Sequence, residues 1–188
     1  LTALVWWGIA AIIVLFLILI YNKLIRLRMR VDNAWSQIDV QLKRRHDLIP
    51  NLVETVRGYA IHERELLERV TEARANAISA RDIETQSAAE RKLTEALRSV
   101  FAVVENYPEL KANENFKALQ EELSKTEDKI AFSRQFYNDT VMKYNQAIAV
   151  FPSNLVASMF GFKERRFFEI DDSERSNITV DFREEKKQ

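Results

Sequence analysis

From Leu4 to Tyr21 the chain is almost entirely Ile, Leu, Val, Ala and aromatic, and no charged side chain occurs before Lys23. At about 1.5 Å per residue, eighteen such residues span roughly 27 Å as a helix, close to the hydrocarbon thickness of a bilayer. Trp6 and Trp7 stand near one end and Tyr21 at the other, positions where amphipathic rings favour the headgroup boundary. Lys23, Arg26, Arg28 and Arg30 follow before the first acid, Asp32. The stretch therefore predicts a transmembrane anchor over residues 1–22, with these seven residues at the membrane interface. A cleaved signal peptide would carry its basic residues ahead of the apolar run and a small-residue site behind it; here the basic residues come after. The positive-inside rule then places the N-terminus outside and everything after Lys23 in the cytoplasm.

All 28 basic and all 28 acidic residues lie beyond the anchor, so the remainder has no net charge. That argues against nucleic acid as a partner, since phosphate binding needs a basic excess or a basic face. The absence of cysteine excludes disulfides, thiolate metal sites and cysteine nucleophiles. Gly occurs only at 8, 58 and 161 and Pro only at 50, 108 and 152, which predicts long helices and few turns.

Apolar residues recur at spacings of four and three through Val31, Trp35, Ile38, Leu42, Ile49, Leu52, Val56, Tyr59, Leu66, Val70, Ala73 and Ala77, interrupted by Arg45 and Glu63. Pro50 falls inside this row. The row keeps phase across it, as one kinked helix would. Asp47 is equally suited to cap a new helix whose third residue is Pro50. A second helix is expected over about 85–106, with Leu93, Leu97, Val100, Phe101 and Val104 inward and Tyr107-Pro108 as its stop. Asn113 then caps a long helix to about Phe151, with Phe116, Leu119, Leu123, Ile130, Tyr137, Tyr144 and Ala147 inward and Phe136, Val141 and Ile148 widening the face. A short apolar turn, Leu155 to Phe160, closes on Gly161 as a left-handed cap. The expected divisions are the anchor, a helical body over 23–162 and an extended tail over 163–188. In the tail, Phe167 to Ile170 and Ile178 to Phe182 have strand character.

Gln41-Leu42-Lys43-Arg44-Arg45-His46-Asp47-Leu48-Ile49-Pro50-Asn51-Leu52-Val53 resembles the signature of the LemA family of bacterial membrane proteins. Ala34-Trp35-Ser36-Gln37-Ile38, Tyr107-Pro108-Glu109-Leu110-Lys111-Ala112-Asn113, Phe136-Tyr137-Asn138 and Phe151-Pro152-Ser153-Asn154 resemble it too, in the family's order. The resemblance implies an all-α chain: a single N-terminal transmembrane helix in the inner membrane, then an antiparallel up-and-down four-helix bundle. With that fold the first turn falls near His46-Asp47. The family carries no agreed enzymatic activity, and one branch is associated with magnetosome membranes.

The residues themselves supply no catalytic constellation. Di-iron bundles need Glu-x-x-His pairs, whereas Lys43 and Tyr59 stand three before His46 and His62. No zincin motif, nucleophile elbow or glycine-rich phosphate loop occurs. Both histidines are expected on solvated or polar inter-helix faces. Lys43-Arg44-Arg45 reads as a charged helix end, and Phe136-Tyr137 reads as core. No cofactor and no metal are expected. Phe167, Phe168, Ile170, Ile178, Val180 and Phe182 lie outside any helical stripe and are expected to contact a neighbouring subunit. The expectation is a non-enzymatic, membrane-anchored, homo-oligomeric scaffold that organises or shapes membrane. The alternatives are an adaptor of another membrane protein, such as a membrane protease, and an enzyme whose site sequence motifs do not reveal.

Overall fold

A computed structural model describes residues 2–168, and among these all regular structure is helical. α1 (Thr2–Arg57) runs unbroken for 56 residues from the apolar segment into the body. Gly58, a poor helix former, follows its last residue, and Arg57 sets a cation at the negative end of its dipole. A 3-10 turn (Ile61–Glu63) leads to α2 (Arg64–Ser79). Asp82 opens α3 (Ile83–Val104) with a reciprocal capping box, its carboxylate accepting from the amides of Glu84 and Thr85. α4 (Pro108–Ala112) is a single turn. α5 (Glu114–Ala149) is capped by Asn113, whose side chain accepts from Phe116 N at 3.0 Å, as the sequence predicts. α6 (Ser153–Met159) ends at Gly161, which takes the expected left-handed conformation with φ of 70°.

The chain does not turn at His46-Asp47. α1 passes through Pro50 and keeps its apolar row in phase, so Ile49, Leu52 and Val56 stay buried. A proline inside a helix costs about 3 kcal/mol, partly because the carbonyl four residues back loses its donor. Here that carbonyl belongs to His46, and Arg74 of α2 supplies a replacement N–H to it at 2.6 Å. The Pro50 ring faces solvent. The turn comes instead after Arg57, so the Lys43-Arg44-Arg45 run lies inside a helix and not at its end.

α1 packs along α5, and α2 packs along α3. The apolar interior forms two clusters. One joins Ile49, Leu52 and Val56 to α2, α3, Phe116 and Leu123. The other joins Leu24, Val31, Ala34, Ile38 and Leu42 to Ile130, Tyr137, Val141, Tyr144, Val156, Ala157 and Phe168. Leu123 and Ile130, neighbours on one helical stripe, thus belong to different clusters. Of the Phe136-Tyr137 pair, only Tyr137 is buried; Phe136 is exposed.

After Gly161 the backbone returns along α5 as an extended strap. Tyr144 Oη donates to the Lys163 carbonyl at 3.0 Å and Tyr137 Oη to the Arg166 carbonyl at 2.9 Å. The Asn145 side chain both donates to and accepts from the Arg165 backbone at 2.9 Å. Asn138 does the same for Phe168, also at 2.9 Å. Seven residues of helix rise about 10.5 Å and three residues of extended chain about 10 Å, which is why the register repeats. Burial raises the pKa of Tyr137 and Tyr144, keeping both hydroxyls as donors.

Candidate functional site

Two places concentrate chemistry. The first is a polar layer between the apolar clusters. Arg45, which interrupts the apolar row of α1, is 2% exposed. It is buried because carboxylates reach it from two other helices: Glu90 of α3, in direct contact, and Glu127 of α5 at 2.5 Å. Its guanidinium also donates to Thr94 Oγ1 at 3.0 Å. His46 Nε2 lies 2.8 Å from the other Glu90 oxygen, and Gln86 Nε2 donates to that oxygen at 3.2 Å. Burial by itself raises the Glu90 pKa. The His46 hydrogen bond and the Arg45 charge outweigh that, and the carboxyl is held below its ordinary range. Burial opposes the charge on Arg45 too, and the two carboxylates more than offset it.

This layer borders a cleft of about 520 Å³ whose lining includes Leu97, Arg98 and Phe101 of α3 and Leu123, Ser124 and Glu127 of α5. Arg45 Nε and Ser87 Oγ, both on the cleft, are buried without a hydrogen-bond partner among the described residues. The cleft offers apolar walls and polar donors. Of the three carboxylates that line it, Glu90 and Glu127 are committed to Arg45 and are poor candidates for general bases, while Asp128 is not paired with Arg45. Among the described residues no group of His, Asp and Glu has a metal-binding arrangement.

The second place is the membrane-proximal end. The apolar segment of α1 is unburied within the protein and long enough to cross a bilayer, so it carries the chain to a membrane. Trp6 and Trp7 are exposed near its start. Tyr21 packs its ring on Phe160 and Phe162, with centroids 4.8 and 5.8 Å away. Lys23, Arg26, Arg28 and Arg30 are all exposed just beyond.

The structure distributes the expected subunit contacts unevenly. Phe168 is buried in its own chain, its ring 5.7 Å from that of Trp35, so it is not offered to a neighbour. Phe167 remains half-exposed. Ile170, Ile178, Val180 and Phe182 lie outside the described residues, as does the second expected strand.

Comparison with known proteins places these features. The model of the LemA family matches residues 34–182. The chain belongs to the LemA family. Protein LemA of Metamycoplasma hominis is 29% identical over 162 residues, covering 84% of this chain and 72% of that protein. Magnetosome protein MamQ 2 of Paramagnetospirillum magneticum is 25% identical over 179 residues, covering 81% of this chain and 66% of that protein. Magnetosome protein MamQ of Magnetospirillum gryphiswaldense is 24% identical, and the chain spans 65% of its length.

The family-like motifs of this chain acquire physical roles. Arg45-His46 and Pro50 supply the polar layer and its replaced hydrogen bond. Tyr137-Asn138 holds the strap. Sequence reasoning passed over Glu90, Glu127, Arg74, Asn145 and the outer face of α6. A signal existed for two of them. Glu90 extends the inward row of Leu93, Leu97, Val100 and Val104 backwards, so two opposite charges each interrupt an apolar row. Tyr-Asn also recurs after seven residues, at 137–138 and 144–145.

Proposed function

We propose that this member of the LemA family is a non-enzymatic, membrane-anchored scaffold that self-associates and organises or shapes membrane. The carrying observation is α1, which passes without a break from the apolar anchor into the body. A continuous helix transmits orientation as well as attachment, so the body is held at a fixed angle to the bilayer. In this reading α1, α2, α3 and α5 make an antiparallel up-and-down four-helix bundle over 23–162. The anchor lies in the inner membrane with its N-terminus outside, and the bundle is cytoplasmic. Kinship with proteins named for the magnetosome supports a role at a membrane. Phe167 and the segment carrying Ile170, Ile178, Val180 and Phe182 supply the subunit contact.

The mass of the detergent-solubilised protein tests this. A large homo-oligomer is expected, and a chain ending at Phe168 is expected to form a smaller particle while its helices remain folded. Full mass in the shortened chain removes the tail from the contact. A monomer that copurifies with another membrane protein supports the adaptor reading, which the open α3–α5 cleft favours as a docking place. A reporter at residue 188 that is active only outside the cytoplasm overturns the orientation.

A further inference from the structure

The outer face of α6 is apolar in an unusual place. Val156 and Ala157 turn inward and are buried. Leu155 and Met159, one helical turn apart, are 59% and 71% exposed, and Phe151 before them and Phe160 after them are 78% and 57% exposed. A helix this short that, with its two flanks, exposes four large apolar side chains is costly in water unless something covers them.

Their position identifies the cover. The Phe160 ring packs at a tilt against Tyr21, the residue at the inner end of the apolar anchor segment, so α6 sits level with the headgroup boundary. The charges around it point the same way. Residues 1–31 and 140–163 contain no acid, and their six cations are Lys23, Arg26, Arg28, Arg30, Lys143 and Lys163; the adjoining acids are Asp32, which pairs with Arg165, Asp139 and Glu164. All six cations are exposed. An apolar ridge framed by cations fits an anionic lipid surface, where the ridge enters the acyl boundary and each nearby cation gains from the surface potential. A protein partner of ordinary composition would place carboxylates against these cations and would need no bilayer level.

We propose that the ridge Phe151, Leu155, Met159 and Phe160 inserts into the lipid interface beside the anchor, giving each subunit a second membrane contact. The wedge lies on one side of α1, because α6 packs on that helix. Each subunit then displaces headgroups in one leaflet only. The inference rests on reading the start of α1 as an anchor, and its test separates the two.

The 188-residue chain contains no cysteine. Single variants Ile12→Cys, Leu155→Cys, Met159→Cys and Phe132→Cys, each at an exposed position, are labelled with an environment-sensitive fluorophore. They are reconstituted into vesicles of phosphatidylcholine with phosphatidylglycerol. Lipid-borne quenchers are expected to reduce emission at 12, 155 and 159 and to leave 132 unchanged, whereas aqueous iodide reaches 132 alone. Adding Lys143→Glu and Lys163→Glu is expected to weaken lipid quenching at 155 in anionic vesicles. Quenching at 12 with iodide access at 155 and 159 overturns the wedge and leaves the anchor standing. Protection at 155 and 159 from both quenchers means that protein covers the ridge, which also overturns it. Loss of lipid quenching at 12 overturns the anchor and the wedge together.

Discussion

Arg74 Nε donates to the carbonyl of His46 at 2.6 Å, and His46 is the residue whose helical acceptor Pro50 leaves without a donor. A side chain 28 positions along the chain thereby completes a helix that proline would otherwise break. Removing Arg74 should orphan a partly buried carbonyl, at about 1–3 kcal/mol. Arg74→Met should therefore destabilise the wild-type chain. Its effect should shrink in a Pro50→Ala background, where an amide returns to the same carbonyl. A double-mutant cycle by denaturant titration checks this, and additive effects would refute the coupling.

Glu90 links stability to pH. Its folded pKa is depressed, chiefly because the His46 hydrogen bond and the Arg45 charge outweigh burial. The folded state therefore binds this proton more weakly than the unfolded state. The contribution is present above the unfolded carboxylate pKa of about 4.3 and is lost as pH falls through the lower folded value. Glu90→Gln should cost about 3–5 kcal/mol at neutral pH, since it leaves Arg45 buried with one charge partner fewer. It should also flatten the decline in stability below about pH 4.3. Parallel acid titrations of the two proteins supply the measurement.

The strap should loosen one clamp at a time. Asn145→Ala removes both bonds to Arg165, and Asn138→Ala removes both to Phe168. Each should cost about 1–3 kcal/mol in local opening. Amide hydrogen exchange should rise at Arg165 in the first variant and at Phe168 in the second. Equal exchange at both amides in both variants would mean that the strap opens as one unit.

Ile130→Ala should cost about 2–5 kcal/mol, because Ile130 is buried against Ile38 and Leu42 of α1 in the membrane-proximal cluster. Leu123→Ala should cost a similar amount in the distal cluster. The polar layer separates the two sites, so their effects should add within about 0.5 kcal/mol in thermal or denaturant unfolding.

The residues that declared themselves in the sequence are those whose behaviour depends on near neighbours alone. Eighteen apolar residues with aromatic ends and a basic flank specify an anchor because the bilayer acts on composition and length. Asn113 caps α5 and Gly161 ends α6 because capping and positive φ involve only a few adjacent residues. The apolar rows correctly placed most of the core, since a 3.6-residue period fixes which face turns inward.

Contacts between helices decided the rest. Periodicity marks Arg45 as an interruption, and only Glu90 and Glu127, arriving from α3 and α5, make its burial tolerable. Pro50 is compatible with a turn or with a continuous helix, and Arg74 settles the matter from α2. Phe167 and Phe168 are identical in type, yet Asn138 holds the backbone so that only the second ring meets Trp35. In each case a local choice of nearly equal cost is settled by one group from a distant part of the chain, and the identity of that group is fixed only when the helices pack.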